Sequence, residues 1–456
     1  MISDMTEGNP LKHILLFSIP LLIGNIFQQL YNISDLVIVG RILGTNAFAA
    51  VGATAPLFFL ITFIIIGLTN GFAVVTGQRF GAKDFQGVKN SVVVSVILGS
   101  VVTIFFTIIC SLLLHPTLHA MNIPKSIYHD AYWYTEIIFL GLIITTTYNM
   151  LASIIRALGD SKTPLYFLII SSIANIFLAL LFIRQFHLGV AGSAVAVILS
   201  QALSVILCLI FVKYKFPILN LSKQDWKIKF NRDFFISATE HLRVGLPMAI
   251  QFSIIGISIL IIQSVCNSFG EDVIVSFSAA MRIEQFATTP LLSFAVALTT
   301  FVAQNYGAKN FKRIKQGVNI TSVVNIVISL AVAVIMRFYG AEIAGAIIGS
   351  ATDKIIKIAH EYLIISTIFY LFIGQMFIYR NALQGMGATI FPLLASTLEL
   401  FIRMFAAIYL SIKMGYTGIF YAGPIAWTGA AIVVSVGYFA TFKSIAYKAL
   451  KNEKNL

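Results

Sequence analysis

Residues 77–92 read GQRFGAKDFQGVKNSV, and residues 303–318 read AQNYGAKNFKRIKQGV. Gln78, Gly81, Ala82, Lys83, Phe85 and Lys89 have identical partners in Gln304, Gly307, Ala308, Lys309, Phe311 and Lys315. The same half-chain spacing recurs elsewhere. Pro20 in FSIPLL pairs with Pro247 in VGLPMA, Pro164 in RALGDSKTP with Pro392 in LQGMGATIFP, and Gly189 in LGVAG with Gly418 in TGIFYAG. A chance echo does not hold its spacing at four places, so the chain is a tandem duplication. Whatever one half folds into, the other half must fold into as well.

Each half is too apolar to be soluble. Of 456 residues, 58% are hydrophobic and 11% charged, against about 25% charged in a soluble protein. With a mean hydropathy of +0.91, the surplus apolar surface must face lipid, which makes this a polytopic membrane protein. The net charge of +13 does not point to nucleic acid, because the Lys and Arg sit in short loops between apolar runs. Cys110, Cys208 and Cys266 lie inside apolar runs at no metal-ligand spacing and read as packing residues. No basic region precedes a cleavable apolar core, so the first apolar run is expected to be a membrane helix, not a signal peptide.

Apolar runs long enough to cross ~30 Å of hydrocarbon recur about twelve times, six on each side of a connector. The expected fold is all-α, with two six-helix bundles related by a pseudo-two-fold axis along the membrane normal. The expected divisions are 1–212 for the first lobe, 213–242 for the connector and 243–456 for the second lobe. Residues 131–155 and 360–383 each read as one span, and the end of the connector, NRDFFISATEHLRVGLP, as a short amphipathic helix. Cations concentrate in every second loop: Lys83 and Lys89, Arg156 and Lys162, Lys213 to Arg232, Lys309 to Lys315, Arg380 and the C-terminal tail. Those loops, and both termini, are expected on the cytoplasmic side of a cell membrane.

No phosphate-cradling loop, metal-ligand cluster or nucleophile elbow is present, and no enzyme is expected. The informative residues are polar ones inside apolar runs. A charge at the bilayer centre costs ~2.5–3.5 kcal/mol even on insertion scales, so such residues face a cavity or a partner. Asp35, in QQLYNISDLVIVG, can take up a proton or Na⁺. Gln28 lies two turns back on the same helix, and Asn175 in the fifth span could complete a cation site or bond a neighbouring helix. Arg282, Glu284, Glu399 and Arg403, in the eighth and eleventh spans, are candidates for a charge network on a substrate cavity. Glu399 and Arg403, four apart with the acid first, suit an ion pair. Glu284 and Arg282, two apart, point in different directions.

The six-plus-six arrangement, the QQLYNISDLVIVGRILG opening, the GQRFGAKD and AQNYGAKN loops and the RALGDSKTP and LQGMG turns resemble the MATE family of multidrug and toxin extrusion transporters over nearly the whole chain. The resemblance implies two six-helix lobes about a large cavity, and export of organic, often cationic, compounds in exchange for entering Na⁺ or H⁺. It matches Asp35 and Gln28 to the first-helix acid and amide of the family's N-lobe cation site, and Asn175 to the fifth-helix amide. The fifth-helix acid that follows is Ala179 here, a sixth-helix Thr is Val197, and a seventh-helix Glu of one branch falls near Ile255. Na⁺ at Asp35 and Asn175 would want more oxygen ligands than remain, so H⁺ is favoured. The expected ligands are small organic cations and membrane lipid, with no cofactor beyond the coupling ion and with the chain acting as a monomer. Two rival readings are a flippase of lipid-linked oligosaccharides from the same superfamily, which needs a strongly basic cavity, and a non-transporting membrane sensor or scaffold.

Overall fold

The computed structural model describes residues 3–226, 232–349 and 352–453. These residues form fourteen α-helices: α1 Pro10–Leu43, α2 Thr45–Gly81, α3 Phe85–Ala120, α4 Lys125–Leu140, α5 Leu142–Ala157, α6 Lys162–Arg184 and α7 Gly189–Lys215, then α8 Arg232–Cys266, α9 Glu271–Gly307, α10 Phe311–Ile348, α11 Asp353–Ile368, α12 Tyr370–Gly385, α13 Ile390–Met414 and α14 Tyr416–Glu453. Ten are long and apolar enough to cross a bilayer singly. Two pairs, α4 with α5 and α11 with α12, bend by 48° and 52° and each make one broken span, bringing the total to twelve. Exposed side chains such as Leu112, Phe338, Phe405 and Ile412 stand on the outsides of these helices, where only lipid can cover them.

The duplication is visible in the turns. After α2, Asp84 N–H donates to Arg79 C=O and Lys83 N–H to Phe80 C=O; after α9, Asn310 donates to Asn305 and Lys309 to Tyr306. Both turns place a lysine, Lys83 and Lys309, in the left-handed region at φ 58° and 56°, a Schellman ending in which the sixth N–H returns to the first carbonyl. The next residue then caps the following helix: Asp84 accepts from Gly87 N–H and Asn310 from Arg313 N–H. The breaks also match, because Gly141 and Phe369 separate the members of each bent pair. Residues 131–155 and 360–383, each read as one span, are one span each with a bend at these breaks. In the first pair the backbone at Gly141 packs so closely on Ile198 that a Cβ would lie 2.2 Å from it.

Two compact units emerge: Met1–Asp4 with Ile23–Ala249, and Met5–Leu22 with Ile250–Leu456. The chain therefore does not part at one point in the connector, since α1 and α8 each contribute to both units. In unit 1, Gly67 and Gly71 of α2 let α8 approach until added Cβ atoms would sit 2.7 Å and 2.4 Å from the Cα atoms of Ala249 and Gly245. Small residues four apart permit such a backbone crossing. The connector turns at Pro217–Leu219, and Asp225 ties it to α3 through Gln86 and Lys89. Residues 232–242, expected as a separate amphipathic helix, are the first turns of α8, because nothing breaks the helix before its internal Pro247. In unit 2 the segment before α1 is fixed by side chains of the second repeat loop. Gln304 accepts from Met5 N–H at 2.8 Å, and the Arg313 guanidinium donates to the carbonyls of Met5, Glu7 and Gly8.

Candidate functional site

Asp35 sits in the C-terminal half of α1, where the chain reads YNISDLVIV, and is only 6% exposed. Its carboxylate is held from two other helices. Ser193 of α7 donates to Oδ1 at 2.7 Å, and the Tyr134 hydroxyl of α4 donates as well. Ser193 lies in the first turns of α7 and is fully buried. One turn before Asp35, the Tyr31 hydroxyl is buried and has no close hydrogen-bond partner. Among the described residues no Lys or Arg pairs with Asp35, so the negative charge has hydroxyl donors but no counter-ion.

Asn175 of α6 is fully buried, and neither its Oδ1 nor its Nδ2 has a partner. It does not hydrogen-bond Asp35, but its helix packs on the same part of α1. One turn on, Ala179 clusters with Ile183 and Ala196 against Ile38 and Ile42. Val197 packs with Ile138 and Ala194. Both positions are thus apolar contacts beside the acid, and neither supplies an oxygen. Gln28 is exposed on the same helix as buried Asp35. A buried acid with hydroxyls already donating into it suits gain and loss of a proton, because a cation would need those hydroxyl oxygens turned towards it.

Unit 2 gathers its charges differently. Glu399 of α13 accepts from Arg403 at 2.6 Å and from Arg380 of α12 at 3.0 Å, all three buried. The ion pair expected between Glu399 and Arg403 is present, but it is half of a triad. Arg380 is not a loop cation as its sequence position suggested; it is 5% exposed inside the bundle, held there by Glu399. Glu284 of α9 is also buried, accepts from the Tyr362 hydroxyl of α11 and lies within electrostatic reach of Arg403. Arg282 is corrected out of this network. It is exposed and forms no ion pair among the described residues, because neighbours two apart on a helix face opposite ways. The contributions of Ser193, Tyr134 and Tyr362 carried no sequence signal, since Ser and Tyr are ordinary residues of membrane helices.

A duplicated set of broken and unbroken spans, with polar side chains buried between the helices, defines a polytopic membrane protein built from two repeats. The sequence pattern of the MatE family matches residues 20–181 and again 247–409, once in each repeat, and the chain belongs to that family. It is 28% identical to "Probable multidrug resistance protein YpnP" of Bacillus subtilis over 97% of this chain and 95% of that one. It is 23% identical to "Multidrug export protein MepA" of Staphylococcus saprophyticus over 85% of each. Its fold matches a crystal structure of MATE in the bent conformation with a TM-score of 0.90 at 24% identity, covering 98% of both chains. It also matches an outward-facing multidrug resistance MATE transporter of the MOP superfamily, with a TM-score of 0.87 at 24% identity over 97% and 98% of the chains.

Proposed function

We propose that the protein exports small organic compounds, chiefly cations, in exchange for an entering cation, with H⁺ favoured over Na⁺, and that Asp35 is the exchanging group. It acts as a monomer in the cell membrane with both termini cytoplasmic. The observation that carries this reading is the burial of Asp35 between Ser193 and Tyr134 with no positive partner. The names of the relatives, which denote multidrug resistance and export, support the substrate class.

The exchange follows from elementary electrostatics. In one conformation the ionised carboxylate attracts an organic cation; on protonation that attraction disappears and the substrate leaves. The proton drives the cycle only if the two conformations bind it with different affinity. Asn175, Ser193 and Tyr134 set that difference, since a small helix shift changes which of them reaches the acid. Against the flippase reading, the buried Arg380 and Arg403 of unit 2 are both paired with Glu399, and so are partly neutralised by an acid that a lipid pyrophosphate would have to displace.

Efflux of a fluorescent organic cation from proteoliposomes, under an imposed proton or sodium gradient, tests this. Efflux that follows the proton gradient is expected. Efflux driven by sodium alone overturns the ion assignment, and efflux indifferent to both gradients overturns antiport.

A further inference from the structure

The duplication assigns a counterpart to the Asp35 site, and that counterpart has the opposite polarity. Asp35 stands fifteen residues after Pro20, and fifteen residues after the matched Pro247 stands Ile262. Asn175 stands eleven residues after Pro164, and eleven after the matched Pro392 stands Arg403. Where unit 1 has an acid and an amide, unit 2 has an aliphatic side chain and a guanidinium.

These two residues border the same space. A cavity of about 180 Å³ in unit 2 is lined by Ile259, Ile262, Phe277 and Met281, with Ser278, Gln263 and Arg403 as its polar residues. Arg403 is 8% exposed, its Nε has no hydrogen-bond partner, and one terminal nitrogen donates to Glu399. Glu399 is itself shared with Arg380, so two guanidinium groups hydrogen-bond one carboxylate, with Glu284 in electrostatic reach of Arg403 as well. A buried guanidinium donor left without an acceptor loses free energy until one arrives. Apolar walls with a guanidinium in the lining fit an aromatic or aliphatic group that carries a carboxylate.

We propose that this cavity is a second ligand subsite, which takes the carboxylate end of amphiphilic organic acids and zwitterions. It rests on the exporter reading for the role of those ligands as substrates; the binding itself stands apart from it. Arg403 supplies the charge-assisted hydrogen bonds, and Ile262, Phe277 and Met281 cover the apolar part.

The test uses the full-length protein purified in detergent, with 1-naphthoate and its methyl ester as probes and binding followed by calorimetry. Wild type is expected to bind the acid at least about tenfold more tightly than the ester, the margin of one charge-assisted hydrogen bond. Arg403→Met should remove that preference. It leaves Glu399 paired with Arg380, so the bundle keeps its neutralising partner. Ser278→Phe, which fills the cavity while leaving all three residues of the triad in place, should weaken the acid by a similar factor. Equal binding of acid and ester, or acid binding that survives both variants, overturns the subsite. Cation efflux measured on the same preparations separates the two claims. A wild type that binds acid and ester equally but keeps gradient-driven efflux refutes only the subsite, and binding as expected without any gradient-driven efflux refutes only the exporter.

Discussion

Tyr134 and Tyr362 occupy matched places, each seven residues before the break in its bent span, and each gives its hydroxyl to the buried acid of its own unit. The acids themselves are not matched: Asp35 lies on α1, the first helix of its repeat, whereas Glu284 lies on α9, the second. One scaffold position therefore serves two different acids. Tyr134→Phe leaves Ser193 on Asp35 and is expected to slow substrate–proton exchange several-fold without abolishing it. Tyr362→Phe removes the closest hydroxyl donor of Glu284, leaving Ser366 nearby, and should cost about 1–3 kcal/mol of stability while exchange continues. Thermal melting and exchange rates of the two variants check this; equal effects on both readouts would contradict the assignment.

The triad in unit 2 predicts an order of damage. Glu399→Gln leaves Arg380 and Arg403 buried without the carboxylate they both bond, which costs about 3–5 kcal/mol. Arg403→Met leaves one full ion pair and should cost clearly less. Thermal unfolding of the purified variants decides it, and equal melting temperatures for the two would show that Glu399 does not balance both arginines.

Most of the architecture was legible because it is written in spacing. The Pro20–Pro247 and Pro164–Pro392 matches, and the twin GAK loops, gave the duplication, and apolar run length gave the twelve spans. The breaks were not legible, since Phe369 is no helix breaker and the bend there comes from packing. Asp35 stood out as a lone acid in an apolar run, but its donors, Ser193 and Tyr134, lie on helices far along the chain. Arg380 was misplaced because it sits near a span end, where a cation reads as a loop residue. Only its pairing with Glu399 places it inside.

Helix crossing by small residues predicts a sharp size limit at Gly71. An added methyl would lie 2.4 Å from the Cα of Gly245, backbone that cannot step aside. Gly71→Ala should therefore destabilise by about 1–3 kcal/mol as an overpacked contact. Gly52, whose Cβ would meet nothing within 4 Å, is the control, and Gly52→Ala should melt no lower than wild type.

The connector turn carries its own pH limit. Asp225 accepts from the backbone N–H and the hydroxyl of Ser222 at 2.7 and 2.8 Å, and these bonds, with help from Gln86 and Lys89, pull its carboxyl down to about 2. Since that lies below the ordinary value of about 3.9, the turn has its full stability above the ordinary value and loses it as pH falls through about 2. Pepsin digestion at about pH 4 should spare the Leu221–Trp226 stretch in wild type and cut it in Asp225→Asn. Cleavage of both at that pH would contradict the role given to the carboxylate.

The central claim is that Asp35 exchanges its charge as the protein cycles. Its most direct measurement is substrate-driven proton movement in proteoliposomes holding wild type or Asp35→Asn, the isosteric change that fixes the side chain in its neutral form. Wild type should release protons from the side opposite the exported cation, and the variant should bind substrate weakly and move no protons while inserting and melting normally. Proton movement by Asp35→Asn at the wild-type rate would contradict the account.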